Sequence, residues 1–435
     1  MTTNSWNVPA LRVASDKMLH LDLLRFVASA GIVVRHSFEF FFPPDVRSAL
    51  PSGLALFVDL FFVISGFVIA HVYCAKVDSL SGYGSFLQRR VGRLMPLHWL
   101  TLLVSIIVWS GFVVLGRAGN HEPSFELRCI AETALLLNAM VTCGNGISFS
   151  SVSWSIGAEM VMYLIFPLFA WIGMRSRLGL LLVTVLSLIA AIIVDLAQNA
   201  IDRSWVDLSP PFRALPSFMI GVCLLYFRDK VRMISATGPV LLFSLVLTLA
   251  SMISYTHHLF TLGLVYIVAI TAVAADARQI VPVFVKRLAP LGQLTYSMYM
   301  WHPVIVLILM NVVADKLVHA SPGLMSVFCV ICYAIIFVVA YLSYFFIESP
   351  ARRYIDSLGS GRAFGSTDAA VFGHEPLLRI RQAESDTTQL SNDAQWPDSS
   401  RIDARVCAFR ARLGLPKNSM QDVQPRNSDW PTASS

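Results

Sequence analysis

An all-α bundle crossing a membrane about ten times is the fold class this sequence predicts, and three observations predict it. Of the 435 residues, 56% are hydrophobic and only 14% charged, and the mean hydropathy is +0.64. Soluble domains carry about a quarter charged residues. The apolar residues come in uninterrupted runs of about 20, the length an α-helix needs to cross the hydrocarbon. Basic residues between these runs favour alternate loops, as the positive-inside rule describes.

In chain order the runs lie near His20–Phe42, Leu54–Cys74, Leu94–Gly116, Ser151–Met174, Leu178–Ala197, Pro211–Phe227, Pro239–Tyr255, His258–Ala275, Pro290–Val313 and Gly323–Ile347. The first four and last two stand clear, whereas short breaks separate the middle ones. Cys129–Met140 is too brief to span and is expected re-entrant or at the interface. With the N-terminus inside, about sixteen Lys and Arg fall on the cytoplasmic side, Lys17, Lys76, Arg89, Arg90, Arg93, Arg352 and Arg353 among them. The other side holds Arg47, Arg117, Arg128, Arg203, Arg213 and Lys316. Both termini are therefore expected in the cytoplasm, in a multi-pass protein of the inner (cytoplasmic) membrane. This bias accounts for the net charge of +6, so nucleic acid is not an expected partner.

The run after Lys17 is too long for a cleaved signal peptide and carries Arg25, Arg35 and His36. Cys129 and Cys143 share one expected outer loop, and for them both pairing and free thiols stay open. Residues 1–350 read as the membrane domain. Residues 351–435, rich in Ser, Asp, Arg, Gln and Pro, read as a cytoplasmic, largely disordered tail in which Arg405–Leu415 has an amphipathic pattern.

Ionisable groups inside spans are costly, so each is a functional candidate weighed against a structural ion pair. Arg25 and His36, eleven positions apart, face one side of the first span, about 16 Å apart along its axis. Asp22 is placed to pair with Arg25. Histidine is the side chain suited to accept and return a proton near neutral pH. Asp59 and Glu159 fall at a depth similar to His36, and Ser155, Glu159 and Tyr163 form one polar stripe. Arg89 and Arg93, four apart, present a cationic face matched to phosphate oxygens, or serve only as a topogenic cluster. The ninth run carries Gln293, Thr295, Tyr296, Ser297, Tyr299, Trp301 and His302, too polar for lipid and suited to line a cavity. No His/Cys/Asp cluster has metal-ligand spacing, so no metal is expected.

Six elements in order then resemble the membrane-bound type 3 acyltransferase family over about residues 20–350. They are Leu21-Asp22…Arg25…His36, Phe61-Phe62…Ser65-Gly66-Phe67, Arg89-Arg90…Arg93…Pro96, Trp154-Ser155…Glu159…Tyr163, Leu291 to Trp301-His302-Pro303, and Tyr344 to Glu348-Ser349-Pro350. The resemblance implies transfer of an acyl group, usually acetyl, from cytoplasmic acyl-CoA as co-substrate to a hydroxyl of a carbohydrate or glycolipid. It implies His36 as base, Arg25 as its partner, and Arg89 and Arg93 on the CoA phosphates, and the similar depth of Asp59 and Glu159 makes one of them the expected acid that orients His36. Ser65 and Tyr296 are expected on the acyl-CoA side, and Trp154, Ser155, Trp301 and His302 on the acceptor side. The sequence departs from the family at Leu23, usually glycine, and at Arg35, usually aliphatic. With a short polar tail after the spans, the additional hydrolase-like domain that some relatives carry is not expected in residues 351–435. A transporter or flippase is the competing reading, but no repeat relates the two halves and the juxtamembrane arginines then lack a purpose.

Overall fold

The computed structural model describes residues 18–41, 53–115, 122–144, 146–199, 205, 208–234, 238–254, 256–278 and 281–359. Of the expected disordered tail 351–435, residues 351–359 are helical, and the rest, with its Arg405–Leu415 pattern, lies outside the described residues. The chain forms helices α1 (Leu19–Phe38), α2 (Phe57–Tyr73), α3 (Leu80–Val114), α4 (Leu127–Ala134), α5 (Ser153–Arg175), α6 (Arg177–Asn199) and α7 (Pro210–Tyr226). It continues through α8 (Arg228–Met233), α9 (Gly238–Ile253), α10 (His258–Arg278), α11 (Val283–Leu288), α12 (Thr295–Val306), α13 (Pro322–Ser343) and α14 (Ser349–Gly359). Among the described residues there is no strand.

Each of the ten apolar runs falls on a helix, but only seven helices are long and apolar enough to cross a membrane by length and composition. These seven are α2 with its preceding 3₁₀ turn, α3, α5, α6, α10, the segment Val283–Leu317 and the segment Pro322–Ser357. The other three differ for visible reasons. α1 carries Asp22, Arg25 and Arg35 within 20 residues, and α7 and α9 are 17 and 16 residues long. The protein is thus a polytopic helical membrane protein whose ten-span count the structure does not establish.

Local chemistry fixes the helix ends that matter. The first turn of α1 leaves backbone N–H groups without helical partners. Asp276 of α10 supplies them, accepting from His20 N at 2.9 Å and Leu21 N at 3.1 Å, while the His20 ring donates Nδ1–H to it at 2.7 Å. α3 starts at Ser79, whose Oγ accepts from Gly82 N at 3.1 Å. It then runs 35 residues, through Pro96, without interruption.

Tight backbone contact organises the centre. A methyl group at Gly66 of α2 would strike the Phe218 carbonyl of α7, and one at Gly221 of α7 would strike the Val63 carbonyl of α2. Small residues let membrane helices approach this closely, so dispersion and backbone contact replace the hydrophobic driving force that lipid cannot supply. Gly292, in the 3₁₀ turn before α12, sits in the same way against the Asp22 carbonyl of α1. Helices α1, α2, α3, α5 and α12 consequently surround one interior space, with α7 and α10 packed behind α2. Leu103, Ile107, Leu182, Leu186 and Val330 are exposed on the outside, as lipid-facing side chains should be.

The short apolar stretch Cys129–Met140 becomes part of α4 and a 3₁₀ turn, Leu137–Ala139, in a folded loop. Cys129 and Cys143 are joined by a disulfide, which decides the open question of their pairing. His98 Nε2 donates to the Thr133 carbonyl at 2.9 Å, Trp99 Nε1 to that of Ala134 at 3.0 Å, and Asn138 Nδ2 to Ser153 Oγ at 2.8 Å. The loop is therefore fastened to α3 and to the start of α5.

Gly221→Ala is expected to destabilise the protein by about 1–3 kcal/mol through overpacking. Gly263→Ala adds a methyl with nothing within 4 Å and is expected neutral or stabilising by up to about 1 kcal/mol. Thermal midpoints of the detergent-solubilised variants, followed by size-exclusion fluorescence, check the contrast.

Candidate functional site

A cavity of about 110 Å³ opens between the five central helices. That is several times the space one water requires. Its polar wall is Arg25 from α1, Ser65 from α2, Arg90 and Arg93 from α3, Ser155, Glu159 and Tyr163 from α5, and Tyr296 and Tyr299 from α12. Val58, Phe61, Phe62, Val68, Ile69 and Ile156 close the apolar side. The Ser155–Glu159–Tyr163 stripe expected from four-residue spacing lines this space along its whole length.

One end is cationic. Arg25 Nη1 donates to Asp22 Oδ1 at 3.5 Å, the pair expected from their three-residue spacing. Arg90 is buried, donates to the Tyr73 hydroxyl at 2.9 Å, and its guanidinium lies 5.0 Å from the Tyr73 ring and 5.9 Å from that of Tyr163. Arg93 faces the cavity and acts electrostatically on Glu348, which accepts from Ser297 Oγ at 2.9 Å. The Tyr296 hydroxyl donates to the Leu94 carbonyl at 2.5 Å, tying α12 to α3 beside these arginines. Arg89 is half-buried and does not belong to the cavity wall.

Glu159 occupies the middle, accepting hydrogen bonds from both Ser65 and Tyr163. The far end holds the Ser155 and Tyr299 hydroxyls, 2.7 Å apart. Beyond Tyr299, whose ring centroid is 5.6 Å from that of His302, lies a histidine pair, with the rings of His302 and His36 centred 5.3 Å apart. His302 is fully buried and His36 half-buried. Pro303 lacks the N–H that would engage the Tyr299 carbonyl, which lies within reach of the His302 ring.

The expected convergence of His36, Asp59 and Glu159 is not what the structure shows. Asp59 is fully buried in a separate ion pair with Arg213 of α7, at 2.6 Å from Nη2 and 3.2 Å from Nε. Trp205 Nε1 donates to the same carboxylate at 3.1 Å. Glu159 is committed to Ser65 and Tyr163, and the neighbour of His36 is a second imidazole. Trp154 lies under the Arg213 guanidinium at 5.4 Å, so it joins the Asp59 network. Trp301 packs between α12 and α13 and is not part of the cavity wall.

Two charged groups at or beside the cavity escape the sequence reading. Arg90 and Arg93 are three apart and Arg89 and Arg93 four apart, and both spacings share a helix face. Only packing of Arg90 onto Tyr73 and Tyr163 decides which one turns inward. Arg213 sits inside the apolar run 211–227, where the cost of intramembrane charge is itself a signal.

Residues 18–343 match the family of type 3 acyltransferases, described as an acyltransferase domain. A protein of Rhizobium radiobacter, named protein 2 in the picA locus, is 34% identical over 36% of this chain and 75% of its own length. The peptidoglycan O-acetyltransferase OatA of Listeria monocytogenes is 24% identical over 77% of this chain. A provisionally named O-acetyltransferase of Staphylococcus aureus is also 24% identical over 77% of the chain. This chain spans 55% and 57% of the lengths of those two relatives. No solved structure matches it.

Removing one partner of a buried ion pair leaves the other charge uncompensated, at a cost of about 3–5 kcal/mol. Asp59→Ala is therefore expected to lower stability by that amount, and Asp59→Leu combined with Arg213→Met to recover most of it. Thermal midpoints of the single and double variants in detergent check the structural assignment of Asp59.

Proposed function

The chain belongs to the type 3 acyltransferase family, and from that premise we propose that it moves an acyl group, in the first place acetyl, from cytoplasmic acyl-CoA to a hydroxyl of a carbohydrate or glycolipid. The observation that carries this reading is the gradient along the cavity. Guanidinium groups crowd one end, hydroxyls the other, and a histidine pair lies beyond.

Arginine forks match phosphate oxygens in charge and geometry. Arg93, Arg90 and Arg25 suit the phosphate-bearing part of acyl-CoA, with the pantetheine arm and thioester extending past Glu159 toward Ser155 and Tyr299. The apolar wall from Phe61 to Ile156 suits the acyl chain and arm. His36 takes the proton of the acceptor hydroxyl, and the oxygen attacks the thioester carbonyl carbon. The carbon–sulfur bond then breaks and CoA leaves as the thiol. Ser155 and Tyr299 are available to donate to the carbonyl oxygen as negative charge develops on it, a contribution that grows in a water-poor site.

The outer position of the acceptor draws support from two features. The charge asymmetry puts Arg89, Arg90 and Arg93 on the cytoplasmic side. The Cys129–Cys143 disulfide lies in the loop assigned to the opposite side, and disulfides persist in oxidising compartments. Both termini then face the cytoplasm, in the inner membrane. OatA is named for peptidoglycan, and an extracytoplasmic sugar hydroxyl is the acceptor class this arrangement fits.

Membranes containing the chain, incubated with radiolabelled acetyl-CoA, are expected to transfer label into the glycan or glycolipid fraction. His36→Ala and Arg93→Ala are each expected to lose at least about a hundredfold in rate, His36 through loss of the base and Arg93 mainly through a raised acetyl-CoA KM. Undiminished transfer by His36→Ala at normal protein levels removes it as the base.

A further inference from the structure

His36, unlike Ser155 and Tyr299, does not line the cavity. The reaction nevertheless requires the proton taken from the acceptor hydroxyl to end on the CoA sulfur. In the balanced step the acceptor O–H and the thioester C–S bonds break, and an ester C–O and a thiol S–H bond form. A base set off from the cavity needs a way to return that proton.

His302 stands in the intervening position. Its ring is centred 5.3 Å from that of His36 on one side and 5.6 Å from that of Tyr299 on the other. The Tyr299 hydroxyl is 2.7 Å from that of Ser155, and both reach the cavity wall. His302 is 0% exposed, and its ring nitrogens make no side-chain hydrogen bond among the described residues, with only the Tyr299 and Met298 carbonyls within reach. A buried polar group left unpaired costs free energy that a phenylalanine of similar shape would avoid. A packing role alone therefore does not account for an imidazole here, whereas ring nitrogens not committed to another side chain are what proton exchange needs.

We infer that His302 is a positioning residue that holds the His36 ring and passes its proton inward, through the Tyr299 and Ser155 hydroxyls, to the departing thiolate. The inference rests on His36 being the base. The titratable groups on the elements around the pair are Arg35 and Glu39 at the end of α1, and Arg213 of α7 with Asp59 of α2. Tyr296 and Tyr299 on α12 itself, Cys329, Cys332, Tyr333 and Tyr341 on α13, Arg90, Arg93 and His98 on α3, and Asp315 and Lys316 in the π-helical turn after α12 also lie on these packed elements.

The test uses membranes holding the full chain, radiolabelled acetyl-CoA and the endogenous glycan fraction as acceptor. His302→Phe is expected to lower turnover at saturating acetyl-CoA about a hundredfold while its KM stays within about twofold, the signature of a lost proton-transfer group. Tyr299→Phe is expected to lower turnover by a comparable factor, because the relay runs through its hydroxyl. Added imidazole is expected to restore part of the His302→Ala rate, with a pH dependence that follows the added base. Wild-type turnover and an unchanged pH profile in His302→Phe would overturn the inference. If His302 variants fail to accumulate, full turnover in Tyr299→Phe would overturn it instead. The two readings separate cleanly: an active His36→Ala refutes the base, while an inactive His36→Ala beside a fully active His302→Phe refutes only the relay.

Discussion

Burying arginine in an apolar bundle is the constraint on which the rest of this structure depends. A guanidinium withdrawn from water must meet compensating charge or polarisable surface, or the helix that carries it does not stay in the membrane. Arg25, Arg90 and Arg93 meet it in three different ways. Arg25 has Asp22 one turn away on its own helix, Arg90 has the hydroxyl of Tyr73 and the faces of Tyr73 and Tyr163, and Arg93 has Glu348 from the turn before α14. Satisfying all three at once draws α1, α2, α3, α5 and the α12–α14 region to one place. The cavity is the space left between them.

The other end obeys the same rule with the opposite outcome. Asp59 and Arg213 neutralise each other completely, with Trp205 taking one of the remaining acceptor sites. This closed pair holds α2 to α7 beside the glycine contacts and presents Trp154 from beneath. The contrast is chemical. At the arginine end the cations keep access to an open space, and at the histidine end the charges are spent on one another.

Much of this was legible in the sequence wherever the information is local. Run lengths and charge asymmetry announce a membrane bundle, the three-residue spacing announces Asp22–Arg25, and the four-residue spacing announces Ser155, Glu159 and Tyr163 on one wall. What escaped is set by contacts between distant segments. The partner of Asp59 lies 154 positions away, and the neighbour of His36 sits on α12, so neither follows from depth within a span. The choice of Arg90 over Arg89 turns on one rotation of α3, which aromatic packing fixes and spacing does not. Chain length explains the span count. α7 and α9, 17 and 16 residues long, fall below the length of the seven candidate spans although both are mainly apolar.

The unbroken course of α3 carries a consequence of its own. Its 35 residues extend about 52 Å, while the hydrocarbon is only about 30 Å thick. Arg90 and Arg93 reach the cavity from the same rigid rod that spans the lipid. A bilayer that is thicker or thinner must be met by tilt or displacement of that rod, and the arginines travel with it. Lipid thickness is in this way built into the dimensions of the cavity, as a ruler whose graduations are the turns of a single helix.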